Sequence, residues 1–205
     1  TDDNHVIVSS DSDFYQLLSS NVTQYNGIAK EHITVDGVFD DKGRVVVDKK
    51  TKEPKQIGDP DWLLFEKCVR GDKSDNIFPA YPGARKKGSK SKIGMLEAFD
   101  DKNGKGFNWN NFMLQRWVDH EDKEHLVLDD YKRNVKLIDL TEQPDEIKAV
   151  LDEVIIEAVQ AEHKGQVGLR FMKFCGKHNL VRIGEQAQDH ATYLGASYAN
   201  KAASN

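Results

Sequence analysis

Two pairs of aspartates set the chemical question. Val8-Ser9-Ser10-Asp11-Ser12-Asp13-Phe14 follows a short apolar run and offers the carboxylates of Asp11 and Asp13 at one strand end. Arg70-Gly71-Asp72-Lys73-Ser74-Asp75-Asn76 closes a second apolar stretch and offers Asp72 and Asp75, three residues apart, around a tight turn. Hard divalent cations take oxygen ligands, and Mg²⁺ keeps several waters, so a few carboxylates suffice to hold it. Plainer readings stay open at this level. Asp11 and Asp13 can simply cap the helix at Phe14, and Gly71 can end a helix ahead of a polar turn. A calcium-binding loop is excluded, because it needs glycine at its sixth position and glutamate at its twelfth.

A third segment carries the opposite charge. Pro82-Gly83-Ala84-Arg85-Lys86-Lys87-Gly88-Ser89-Lys90-Ser91-Lys92-Ile93 has five basic residues among the eight from Arg85 to Lys92 and none acidic, in a chain of net charge −5. Gly83 and Gly88 permit close backbone approach, and Ser89 or Ser91 can cap the helix that follows. Free amides at that helix start, with lysines beside them, make a phosphate site. The alternative is a solvated basic loop. Carboxylates to hold ions and a separate anchor for the phosphate backbone are together the parts of a two-metal nuclease.

The elements that position these residues are legible from periodicity. His5 to Ser9 reads as a buried strand, running through Asp11 or Ser12 as cap into a helix at Phe14, Leu17 and Leu18. Val22 to Tyr25, Ile33 to Phe39 and Arg44 to Asp48 read as further strands, with a hairpin turn at Asp40-Asp41-Lys42-Gly43. Lys49 to Gly58 is an exposed loop, and a subdomain boundary falls near Gly58. Asp59-Pro60 then opens a helix that stops at Gly71. Shorter helices are expected over Ile93 to Phe99, Trp109 to Val118 and Glu121 to Leu128. Pro144 to Ala161 has the clearest helical stripe and is expected in a core. Gln166 to His178 is another helix, and the tail after Leu194 reads as frayed. Trp62, Trp109 and Trp117 are expected in the core rather than as stacking platforms.

Composition bounds the rest. A chain of 205 residues, 38% hydrophobic and 31% charged, is apolar enough to fold and too polar for a membrane protein. Its two cysteines, Cys68 and Cys175, have no metal-ligand spacing and read as reduced core thiols of a cytoplasmic protein.

The two aspartate motifs, in this order and spacing, resemble the flap endonuclease / 5′-nuclease family, in its bacteriophage RNase H branch. The likeness runs on through Tyr131 to Leu140, Pro144 to Ile147 and Phe171 to Gly176. The resemblance implies an α/β fold: the end of a PIN-like, parallel-type sheet core over 1–58, then a helical region over 59–205. That region would hold a helix–three-turn–helix element gripping duplex DNA through about Gly83 to Lys92. It implies Asp11 at the metal nearer the scissile phosphate, with Asp13, Asp72 and Asp75 around a second metal. The ions would be Mg²⁺, with Mn²⁺ an alternative. The implied activity is 5′-to-3′ exonuclease or flap cleavage of DNA or RNA–DNA duplexes in replication. A non-catalytic duplex-binding module is the rival reading. A single-stranded-DNA-binding protein is an expected partner, and a membrane is not. Two features depart from the family. The turn from Gly83 to Gly88 is longer and more basic than its glycine hairpin, and Lys42 to Lys55 looks inserted. The family's N-terminal half, with further metal ligands, has no counterpart in this sequence, which opens Thr1-Asp2-Asp3. The expectation is therefore the C-terminal portion of such a nuclease, inactive or nearly so alone.

Overall fold

A computed structural model gives the architecture and describes residues 3–90, 92–160 and 166–202. The chain is mixed α/β, with a small sheet, a two-stranded ribbon and several helices. It forms two compact units, Thr1–Pro144 and Asp145–Asn205, so Gly58 falls inside the first of them.

Strand β1 (His5–Val8) pairs in parallel with β2 (Val22–Asn26), His5 standing opposite Val22. The helix between them is a 3-10 helix, Ser12–Leu17. β2 continues antiparallel to β3 (Glu31–Thr34), and β3 to β4 (Gly37–Asp40), giving the order β1-β2-β3-β4. The sheet is therefore mixed. The one strand expected over Ile33 to Phe39 is folded in two, because the Thr34 hydroxyl accepts the Asp36 amide and turns the chain. Arg44 to Asp48 forms only isolated bridges, Val45 to Phe39 and Val47 to Pro54. The turn at Asp40 stands as read, its carboxylate accepting the amides of Lys42 and Arg44. β1 corrects an expectation. It is the edge strand, and Val6 and Val8 are 60% and 76% exposed. Leu18, Ile33 and Val38 form a small core beneath the sheet, with Tyr15, Val46 and Ile57 against it.

Helix α1 (Pro60–Arg70) begins as its sequence demands. Asp59 Oδ1 accepts the Asp61 amide, Pro60 sits in the first turn, and the chain leaves the helix at Gly71. Then come α2 (Met95–Asp100), α3 (Phe107–Met113), the ribbon β5 (Arg116–Val118) and β6 (Glu124–Leu126), and α4 (Val127–Ile138). Two expected helices change here. The one over Trp109 to Val118 ends at Met113 and gives way to β5, and the one over Glu121 to Leu128 is mostly ribbon. The cause is Asp119, whose carboxylate accepts the amides of Glu121 and Lys123 and bends the chain back. Phe65, Val69, Met95, Ala98, Trp109, Phe112, Met113 and Val127 make the main core, with Trp62 and Trp117 packed on it. Each fully buried large apolar side chain there contributes about 1.5–3 kcal/mol.

A polar network ties the ribbon to the end of α1. His125 is held at both ring nitrogens by carboxylates, Nδ1 beside Asp130 (2.9 Å) and Nε2 beside Asp119 (3.0 Å), and its ring stacks on Trp117 at 4.4 Å. The bond from His125, then the Lys123 amide, draw the Asp119 carboxyl down to about 2. Arg133 joins Asp130 to the Asn134 amide oxygen. Asn134 is fully buried, and its Nδ2 donates to the carbonyls of Cys68 (2.9 Å) and Phe78 (2.8 Å).

In the second unit, α6 (Val167–Lys177) packs with α7 (Val181–Gly184) and α8 (Ala187–Ala202), burying Cys175, Ala187 and Ala191. The region after Leu194, read as frayed, is helical through Ala202. Helix α5 (Asp145–Gln160) has the expected stripe, but no residue of it is buried, so it is not a core helix. No helix among the described residues is long and apolar enough to cross a membrane.

Asn134→Ala leaves the buried Cys68 carbonyl without its donor, while the Phe78 carbonyl keeps the longer bond from Arg133 (3.4 Å), and the expected loss is about 1–3 kcal/mol of unfolding free energy. Urea denaturation measures it; a loss under about 0.5 kcal/mol, the range of ordinary surface changes, would mean water replaces the amide.

Candidate metal centre and basic turn

Asp11 and the first turn of the 3-10 helix, which carries Asp13, are fixed from below and from the side. Gln24 on β2, fully buried, donates its Nε2 to the carbonyls of Ser9 (2.8 Å) and Asp11 (2.9 Å). Gln16 donates to the carbonyl of Ile138 (3.1 Å), and its Oε1 accepts the Leu140 amide (3.0 Å), which anchors the 3-10 helix to the end of α4. The loop carrying Asp72 and Asp75 is closed by paired bonds between the backbones of Asp72 and Ile77. Gly71 permits this closure at φ 72°; a Cβ there would strike the backbone of Ile77, Phe78 and Pro79.

These supports bring Asp13, Asp72 and Asp75 together. One carboxylate oxygen of each lies within 4.8 Å of the others. They line a cavity of about 680 Å³ that Asp11 also borders. Asp11 itself stands apart from the cluster, because its Oδ1 caps the 3-10 helix by accepting the Asp13 amide (2.9 Å). Three oxygens so close suit a hard cation, and the donor chemistry fits Mg²⁺ or Mn²⁺.

A residue that the sequence did not single out completes the site. Lys67, in the last turn of α1, points its ammonium at Asp13 and at Asp72 (2.6 Å). Burial disfavours the charge on Lys67, but the bonds to both carboxylates outweigh it and raise its pKa. The Lys67 ammonium, then the Ser74 hydroxyl, hold the Asp72 carboxyl far below the usual carboxylate range. Asp75 is the exposed member of the three. The only sequence signal for Lys67 is its place one helical turn before Gly71.

In the basic turn the backbone differs from expectation. The amides are not free. Glu97 of α2 receives the Gly88 amide on both oxygens (3.0 and 3.1 Å) and the Gly94 amide on Oε2 (3.0 Å). Its own amide first, then those of Gly88 and Gly94, lower its pKa against the opposing effect of burial. The amides of Met95 and Leu96 go to the carbonyls of Arg85 and Lys86. The helix starts at Met95 with Gly94 as cap, so Ser89 does not cap it, and Ser91 lies outside the described residues. Gly88 and Gly94 abut so closely that a Cβ on either would meet backbone of the other. A carboxylate thus fills the nest expected for phosphate, and what remains for an anion is side-chain charge. Arg85 and Lys92, with Gly83 and Gly88, line a cavity of about 220 Å³. Lys86 lies 5.7 Å above the Trp62 ring. None of the cations from Arg85 to Lys92 has an ion-pair partner among the described residues. Glu97 stands at the third position after the cap Gly94, the capping-box position, and that spacing was its sequence signal.

Comparison with protein families and with curated proteins finds no match to this chain.

Lys67→Met removes the cation that lies between two carboxylates. The expected result is a loss of about 1–2 kcal/mol in chelator, discounted for partial exposure, and recovery in millimolar Mn²⁺. The pH profile has a definite sign. Asp72 has a depressed folded pKa, so its contribution is present above 3.8, its ordinary value, and is lost as pH falls below it. Acid unfolding of Lys67→Met should start from lower stability and fall less steeply below pH about 4. An unchanged acid limb would separate Lys67 from Asp72.

Proposed function

We propose that this chain supplies the second-metal carboxylates and the duplex grip of a Mg²⁺-dependent 5′-nuclease, of the exonuclease or flap-endonuclease (RNase H) type. The observation that carries the reading is the convergence of Asp13 with Asp72 and Asp75. Residues about sixty apart in sequence put three carboxylate oxygens within 4.8 Å, facing one cavity. The basic turn in the same unit supplies cations for a phosphate backbone, in the place where the helix–three-turn–helix element of that family would lie. The edge strand β1, with Val6 and Val8 exposed, suits further elements of a PIN-like core, the N-terminal half of such an enzyme. The substrate would be duplex, 5′-flap DNA or an RNA–DNA hybrid, met in the cytoplasm of a phage-infected host. A single-stranded-DNA-binding protein would be a further partner there.

Asp13, Asp72 and Asp75 would hold the ion. When bound, a divalent metal lowers the pKa of a water and offsets charge on the departing oxygen. Asp13 and Asp72 would exchange the Lys67 ammonium for it. Lys67, on a flexible stem, would then face the phosphate as a neighbouring positive charge. Gln24 and Gln16 keep the start of the 3-10 helix, with Asp13, from drifting. Asp11, as cap, orients Asp13 and borders the place where phosphate would enter. Lys86, Lys87 and Lys90 would neutralise backbone phosphates.

A second reading, a non-catalytic duplex clamp, draws on Lys67, since its two ion pairs make the acidic cluster self-sufficient without metal. Calorimetric titration with Mn²⁺ separates the two. Under the nuclease reading the chain binds Mn²⁺, and Asp72→Asn or Asp75→Asn weakens it at least tenfold, about 1.4 kcal/mol. Under the clamp reading, duplex binding persists and metal binding is absent. In either, neutralising Lys86, Lys87 and Lys90 should reduce the salt slope of duplex binding by about one unit for each phosphate left without its cation. The chain alone is expected to cleave a 5′-labelled flap substrate poorly. Robust cleavage abolished by Asp75→Asn would establish the nuclease and refute the need for a further half. Binding neither metal nor duplex would sink the proposal.

A further inference from the structure

The geometry points to a binding site for a single-stranded stretch of nucleic acid on the outer face of α3, beside the basic turn. It rests on the reading that the turn grips nucleic acid, and it adds which part of the ligand lies there. Two hollows adjoin on this face. The inner one has Arg85 and Lys92 on one wall and Asn111 and Gln115 on the other. The outer one, of about 430 Å³, lies against Phe107 and Leu114 and shares Asn111 and Gln115.

The side chains follow the order of a nucleotide. Arg85 and Lys92 have no carboxylate partner among the described residues and offer charge to a phosphate. Gln115 Nε2 donates to the Asn111 carbonyl (2.9 Å) and its Oδ1 (3.3 Å), which holds both amides in place. Asn111 Nδ2 remains as a donor and Gln115 Oε1 as an acceptor, the pair that a base edge or sugar hydroxyl requires. Phe107 follows, 76% exposed, with Leu114 at 58%. α3 is already held by Trp109, Phe112 and Met113 on its buried side, so packing does not call for an aromatic ring on the other. A base inside a duplex has both faces covered by its neighbours. Stacking on Phe107 therefore needs an unpaired base, and sequence-tolerant stacking beside a cationic track is how single strands are held. The flanking cations favour a polyanion over an apolar protein surface.

The test is fluorescence anisotropy of the full chain with a labelled single strand, a blunt duplex, and the same duplex carrying a single-stranded overhang. Phe107→Ala should weaken binding of the single strand and the overhang about tenfold, leave the blunt duplex unchanged, and be rescued by Phe107→Tyr. Arg85→Gln with Lys92→Gln should weaken all three. Single-strand binding that survives Phe107→Ala undiminished overturns this site while leaving the nuclease reading standing. Absence of binding to all three by the unaltered chain overturns both.

Discussion

Carboxylates repel one another, and the site depends on how that repulsion is contained. Asp13 arrives in the first turn of the 3-10 helix after β1 and Asp72 on the loop after α1, and in water they would keep apart. Lys67 lies between them and bonds to both. The ion pairs therefore do more than stabilise a surface. They join the sheet half of the first unit to its helical half at the point where the cavity opens. Gln16 repeats that union a little further along the chain, from the 3-10 helix to the end of α4. The two carboxylates are thus held together by a cation that the chain itself supplies.

The helix signals that rest on local chemistry were legible: Asp59 with Pro60 at the start of α1, Gly71 at its end, and the apolar stripes of α5 and α6. What misled was tertiary. β1 is an apolar β-branched run that reads as buried, yet its place at the sheet edge leaves Val6 and Val8 in the open. α5 has the most regular stripe in the chain and buries none of it. α4 was not read as a helix, because two of the four positions it buries are polar: Asp130 and Asn134 interrupt the stripe between Val127 and Ile138. Side-chain to backbone bonds decided the rest. Asp119 turned an expected helix into a ribbon, and Thr34 folded one strand into two. At the site, the aspartates were visible by type and spacing, whereas Lys67, Gln24 and Gln16 became visible only once the chain was folded.

The basic turn shows how a loop rich in positive charge keeps its shape. Glu97 accepts the amides of Gly88 and Gly94, so an internal anion shapes the loop and leaves its lysines outward. The glycines are required by the contact of one backbone with the other, not by flexibility. Shape and charge are thus divided between different residues, and an external anion meets side chains alone.

The placement of the two cysteines has a consequence of its own. Each compact unit carries one: Cys68 in the first, wholly buried and with its thiol pushed up to about 12 by burial, and Cys175 in the second. A thiolate is the reactive form, so the Cys68 sulfur meets no reagent while its unit stays closed. Alkylation at Cys68, resolved by mass, is then a clock that times the opening of the first unit without any added probe.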